Sequence, residues 1–85
     1  MSSQLDSLIH MANQIAANNT HRGDSAAEYV HMHLKKFWAR SMKRQIIAYM
    51  QQDGSELLPS ARQAVERLAQ EQPEPAESSQ AGRYQ

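Results

Sequence analysis

The sequence predicts an all-α fold, a small bundle of three to four short helices at about residues 4–18, 25–39, 41–52 and 59–70. Three observations carry that expectation. Apolar residues recur at steps of three and four in every one of these windows. No stretch alternates with period two for long enough to make a strand. Turn-forming residues punctuate two of the three joints, at "NNTHRGD" and at Asp53-Gly54.

In the first window the stripe is Leu5, Leu8, Ile9, Ala12, Ile15 and Ala16. The helix is expected to stop in "NNTHRGD", where Asn and Gly accept the left-handed conformation of a helix end and Gly23 forms a pivot. A second start follows, with Ser25 and Glu28 spaced as a capping box and Asp24 as the alternative cap. Ala27, Val30, Leu34, Phe37 and Trp38 then repeat at helical steps.

The joint between the second and third windows is the least marked. "ARSMKRQIIAYMQQDG" carries the period on through Met42, Ile46, Tyr49 and Met50 with no Pro or Gly to interrupt it. An unbroken helix over 26–52 would span about 40 Å and leave much of its stripe uncovered, which argues for a break near residues 39–41 with Ser41 as a cap. The last helix begins with Pro59 at its first position, where the missing N–H costs nothing, and its stripe is Ala61, Ala64, Val65 and Leu68.

The 85 residues suit one domain, 1–70, followed by a Pro/Glu/Ser-rich stretch, 71–85, that reads as a disordered tail. A core of this size yields a surplus of only about 3–5 kcal/mol over chain entropy, so small domains often lean on a disulfide, a metal or a partner. The chain has no cysteine, which removes disulfides, thiolate metal sites and cysteine-ligated iron–sulfur clusters held by this chain. A partner therefore moves up the list. The first residues have no basic signal-like region and no apolar run of membrane-spanning length, so a cytoplasmic location is expected.

Nine Lys and Arg balance nine Asp and Glu, but the balance is uneven along the chain. Residues 29–52 hold Lys35, Lys36, Arg40, Lys43 and Arg44 with no acid, whereas six acids and three arginines follow from Asp53 onward. The basic segment 35–44 also contains the chain's single Trp and single Phe. Cations beside aromatics can neutralise phosphates and stack on bases. Helical geometry divides this cluster, however, placing Phe37 and Trp38 on the stripe of Val30 and Leu34 while the cations spread around the remaining circumference.

Other chemistries find little support. His31 and His33 are two apart on a helix and point apart, and His10 and His21 have no carboxylate or thiolate at ligand spacing, so no metal site is expected. No nucleophile-elbow glycines, phosphate loop or paired carboxylates are present, which argues against a catalytic site. Large side chains are more numerous than the stripes can hide: Met11, Tyr29, Met32, Phe37, Trp38, Met42, Tyr49 and Met50. Met, aromatic residues and Arg are enriched at protein interfaces. In "MANQIA" the amides of Asn13 and Gln14 are further candidates for hydrogen bonds to a partner, beside small alanines that permit close approach.

Taken together, "IHMANQIAANN", "GDSAAEYVHMHLKKFW" and the Met-Lys that follows resemble the delta subunit of NAD-dependent, molybdenum-containing formate dehydrogenases over roughly residues 7–69. The most specific portions are residues 11–16, then Ala27, Val30, His33 and Phe37-Trp38, and finally Met42 with Lys43, where the family often has Arg. Arg40 stands where many relatives have Pro, and Ser41 where a basic residue is frequent, which leaves open a bent but continuous connection between the second and third helices.

What the resemblance implies is a non-catalytic accessory subunit that binds the large molybdopterin-containing catalytic subunit and supports its assembly or stability. It implies no cofactor on this chain, the molybdenum bis(guanine dinucleotide), iron–sulfur clusters, FMN and NAD belonging to the larger subunits. The expected partner-facing residues are Met11, Asn13, Gln14, His33, Phe37, Trp38, Met42 and Lys43, with Phe37, Trp38 and Met42 as anchors. Neither a membrane nor a nucleic acid is an expected partner. The rival expectation is a small nucleic-acid-binding or regulatory module that uses the basic segment 35–44.

Overall fold

The computed structural model describes residues 3–71. Four α-helices follow one another: α1 (Gln4–Asn18), α2 (Ala26–Phe37), α3 (Arg40–Gln52) and α4 (Pro59–Glu71), with a 3₁₀ segment, Thr20–Ser25, between the first two. No strand occurs among the described residues. The all-α expectation holds. The expected tail lies outside the described residues from position 72 on, while Glu71 is the last residue of α4.

The predicted stripes become the core. Leu8, Ile9, Ala12 and Ala16 of α1, Val30 and Leu34 of α2, Ile46 of α3, and Ala61, Ala64, Val65 and Leu68 of α4 join Leu57 and Trp38 in one buried cluster. Alanines at four of these positions let helix backbones come close, so the larger Leu, Ile and Val side chains fill the space between them. Packing is most extensive between α2 and α4. Met42, Ile47, Tyr49 and Met50 of α3 are partly buried against the same cluster.

The helix ends differ from the expected ones in instructive ways. At the start of α1, Ser3 Oγ accepts from Asp6 N–H at 3.1 Å and Asp6 Oδ2 accepts from Ser3 N–H at 3.2 Å, a capping box that satisfies two otherwise orphaned donors. Ser25 makes no side-chain cap to α2, because the preceding 3₁₀ segment already supplies a turn of helix-like backbone. Ser41 lies inside α3, whose N-cap is Ala39. Asn19 ends α1 at φ −113° rather than in the left-handed region. Its amide Nδ2 instead donates to the Ile15 carbonyl at 2.8 Å. Gly23 is the pivot at φ 58° and ψ −125°, a conformation that suits glycine.

The break between α2 and α3 is real and two residues long. Trp38 (φ −87°, ψ 138°) and Ala39 (φ −65°, ψ 157°) are extended. Trp38 N–H still donates to the Leu34 carbonyl at 3.1 Å, and the Ala39 carbonyl accepts from Lys43 N–H at 3.1 Å, so each helix is closed by a residue of the corner. No proline is needed there: burying Trp38 and covering the Ile46 face of α3 favour the turn over a straight helix.

Candidate interaction surface

Asn13 belongs to the scaffold. Its Nδ2 donates to the Glu56 carbonyl at 2.7 Å and its Oδ1 accepts from Leu58 N–H at 2.8 Å. One amide thus pairs with the backbone of the α3–α4 connection and ties it to α1. The same connection is held by Tyr49, whose hydroxyl accepts from Glu56 N–H at 2.9 Å. Gly54 turns it at φ 71°, and a Cβ there would lie 3.1 Å from the Met50 carbonyl oxygen. Asn13, expected as a donor to a partner, satisfies its amide within the chain because α1 runs directly beside this loop.

Trp38 and Phe37, adjacent in sequence and both expected on the partner-facing side, part at the end of α2. Trp38 is 6 % exposed, whereas Phe37 is 71 % exposed. On one continuous helix both would follow the stripe, but α2 ends at Phe37, and the extended backbone of Trp38 turns its indole inward while the phenyl ring stays outside. Trp38 is a core residue of this chain by itself, and Phe37 is left as the exposed aromatic.

Around Phe37 the outer side of α2 is built from residues at helical spacing. Tyr29, His33 and Phe37 follow one another at four-residue steps and form a row. The His33 and Phe37 rings are tilted against each other with centroids 4.9 Å apart. At the other end of the row the Arg22 guanidinium lies 3.7 Å over the Tyr29 ring, a cation–π contact. Arg22 Nε in turn donates to Asn19 Oδ1 at 2.8 Å, so the loop after α1 is seated on α2 through one cation. Met32 and Tyr29 are about half exposed. Five side chains of one helix therefore present aromatic, sulfur and cationic groups to solvent: Tyr29, Met32, His33, Lys36 and Phe37.

The cations of the segment 35–44 do not form a single patch. Lys43 Nζ donates to the Lys35 carbonyl at 2.9 Å, placing a positive charge at the C-terminal end of α2, where unpaired carbonyls and the helix dipole favour it. Lys35 Nζ is 3.7 Å from Glu71 Oε1. Lys36, Arg40 and Arg44 are exposed and form no ion pair among the described residues. Met42 packs partly against the core from the start of α3. Met11 is 40 % exposed, and Gln14, three residues on, is exposed beside it on the outer side of α1. Those two belong to α1, whereas Phe37 is the last residue of α2.

A buried histidine went unseen in the sequence reading. His31 is 7 % exposed, and its Nε2 lies 2.9 Å from Glu71 Oε1. An ionised carboxylate only accepts, so the imidazole donates. That hydrogen bond holds the Glu71 carboxyl below its ordinary range, against the opposing effect of desolvation and with help from the charges of His31 and Lys35. The pair joins α2 to the last residue of α4. The available signal was the place of His31 between Val30 and Leu34, on the edge of a buried stripe; its acceptor, 40 residues away, fell within the stretch read as tail.

Among the described residues no group of three His, Asp or Glu side chains is placed to hold a metal ion. No helix there is long and apolar enough to cross a membrane. What the fold defines is an all-α protein whose distinctive chemistry lies on one helix surface, an aromatic row beside cations that form no ion pair among the described residues. The family model of the NADH-dependent formate dehydrogenase delta subunit FdsD matches residues 7–65. That is the greater part of the chain, and the chain belongs to this family, a subunit of a formate dehydrogenase complex. Comparisons with curated proteins and with solved structures found no match.

Proposed function

We propose that this chain is a non-catalytic accessory subunit that binds the large molybdopterin-containing catalytic subunit of a cytoplasmic, NAD-dependent formate dehydrogenase and supports its assembly or stability. The observation that carries the reading is Phe37: in a chain of the delta-subunit family it stands 71 % exposed at the end of a helix. An exposed phenyl ring gains about 1.5–3 kcal/mol on full burial, and aromatic anchors dominate interface energies. His33 and Tyr29 extend the contact along α2, and Lys36 and Arg40 flank it.

Trp38, Met42, Asn13 and Lys43 act behind this surface by fixing the corner and the loop that present it. Met11 and Gln14, on α1, offer a second place of contact. The molybdenum cofactor, iron–sulfur clusters and FMN reside in the larger subunits, in keeping with a chain that has no thiolate to offer. The nucleic-acid alternative is weakened because Lys43 and Lys35 of its basic segment are engaged within the chain.

Co-expression of the chain with the other formate dehydrogenase subunits tests this. The expected result is co-elution with the large subunit through a wash of about 0.5 M salt, where electrostatic contacts are largely screened. Elution of the chain alone, or its salt-sensitive retention on DNA, contradicts the reading.

A further inference from the structure

Beside the aromatic row, a half-open groove of about 650 Å³ runs between α2 and α4, lined by Glu28, His31, Met32, Lys35, Lys36, Arg67 and Glu71. Three cations and two carboxylates border it. One carboxylate, Glu71, is engaged by His31 at 2.9 Å and Lys35 at 3.7 Å. Lys36 and Arg67 form no ion pair among the described residues, and Glu28 is the one carboxylate there that opposes them. Met32, 43 % exposed, supplies an adaptable apolar contact. The walls are mostly long side chains and one side is open, a shape that suits the edge of a larger body.

Lys36 belongs to this groove and also precedes Phe37 on the outer side of α2, so groove and aromatic row form one continuous surface. We infer that the α2–α4 groove receives an acidic segment of the large subunit, whose carboxylates meet Lys36 and Arg67 and whose apolar side chain lies on Met32. This rests on the proposed docking of the large subunit at Phe37, and it deepens that reading by naming the chemistry of the second contact. Lys36 and Arg67, which pair with no acid among the described residues, and the continuity of the groove with the row select an acidic occupant; the buried His31, bonded to Glu71 at 2.9 Å, lies beside them.

The test uses the full chain in the assembled complex, with benzoylphenylalanine replacing Met32 in one variant and Phe37 in another. Irradiation is expected to link both positions to the large subunit, position 32 to a peptide with Asp or Glu within a few residues of the link. A link from position 37 alone, or from position 32 to a peptide without acids, overturns the groove assignment and leaves the docking at Phe37 standing. A link from position 32 to residues 72–85 of the same chain assigns the groove to that segment and equally overturns it. If neither position links to the large subunit, the docking reading itself fails.

The double variant Lys36→Glu/Arg67→Glu gives a second readout, as both side chains are exposed and unpaired among the described residues. Its affinity for the large subunit is expected to fall at least tenfold at about 50 mM salt and to approach wild type at about 500 mM, where charges are screened. Unchanged affinity at low salt overturns the inference.

Discussion

Adjacent aromatics with opposite fates give the sharpest prediction. Trp38→Ala removes a side chain that is 6 % exposed and packed among residues of the central cluster. Trp-to-Ala changes in a core cost about 3–5 kcal/mol, from lost burial and from the cavity left behind. A core of this size supplies about 3–5 kcal/mol in total, so the variant is expected to lose its folded state at 25 °C. Phe37→Ala removes a ring that is 71 % exposed. It forfeits little burial and one tilted contact with His33, the latter worth about 0.5–1.5 kcal/mol at most.

Urea unfolding followed by far-ultraviolet circular dichroism checks both. The expected outcome is a helical spectrum and a cooperative transition close to wild type for Phe37→Ala, and a largely unfolded spectrum without denaturant for Trp38→Ala. Equal destabilisation by the two substitutions, or a stable Trp38→Ala, would refute the separation of core and surface at the α2–α3 corner.

Asn13→Ala leaves the Glu56 carbonyl and the Leu58 N–H without their amide partner, at a cost of about 1–2 kcal/mol because water reaches this loop; calorimetry should show a melting point lower by roughly 5–15 °C. Gly54→Ala forces a side chain into positive φ and to 3.1 Å from the Met50 carbonyl, and is expected to destabilise by about 1–2 kcal/mol in the same assay. Glu71 has a folded-state carboxyl that ionises below the reference value of 4.5. Its contribution is therefore present above pH 4.5 and is lost as pH falls through the folded value, so Glu71→Gln should be less stable than wild type at pH 6 and converge with it in acid. A stability gap that widens as pH falls below 4.5 would contradict the assigned hydrogen bond.

The core was legible in the sequence because it depends on local periodicity. Leu8, Ile9, Ala12 and Ala16, and then Ala61, Ala64, Val65 and Leu68, declare their face within a few turns, and all are buried. Pro59 likewise marks its helix start by its own covalent geometry. What remained hidden depends on residues far apart in the chain. Asn13 looks like any exposed helix amide until the loop some 45 residues later is placed beside it. His31 is acceptable in the interior only because Glu71 reaches it, and no local pattern announces that pair.

The corner at residues 38–39 is an intermediate case. The need for a break follows from the length of the apolar stripe, but the residue at which it falls decides whether Trp38 or Phe37 stays outside. Ser41 is the better capping residue by type, yet the N-cap of α3 falls two residues earlier at Ala39, where the turn buries the indole. Packing outweighed the cap, since burying a large aromatic is worth more than a side-chain cap of about 1 kcal/mol.

Binding to the large subunit is the central claim, and a titration of delta-free formate dehydrogenase with wild-type chain and with Phe37→Ala tests it most directly. Saturable binding of the wild type is expected, with an affinity at least about 30-fold weaker for the variant, the equivalent of 2 kcal/mol for an interface anchor, and with the variant's helical spectrum intact. Equal affinity of the two chains for the large subunit, or no binding by either, would contradict that claim.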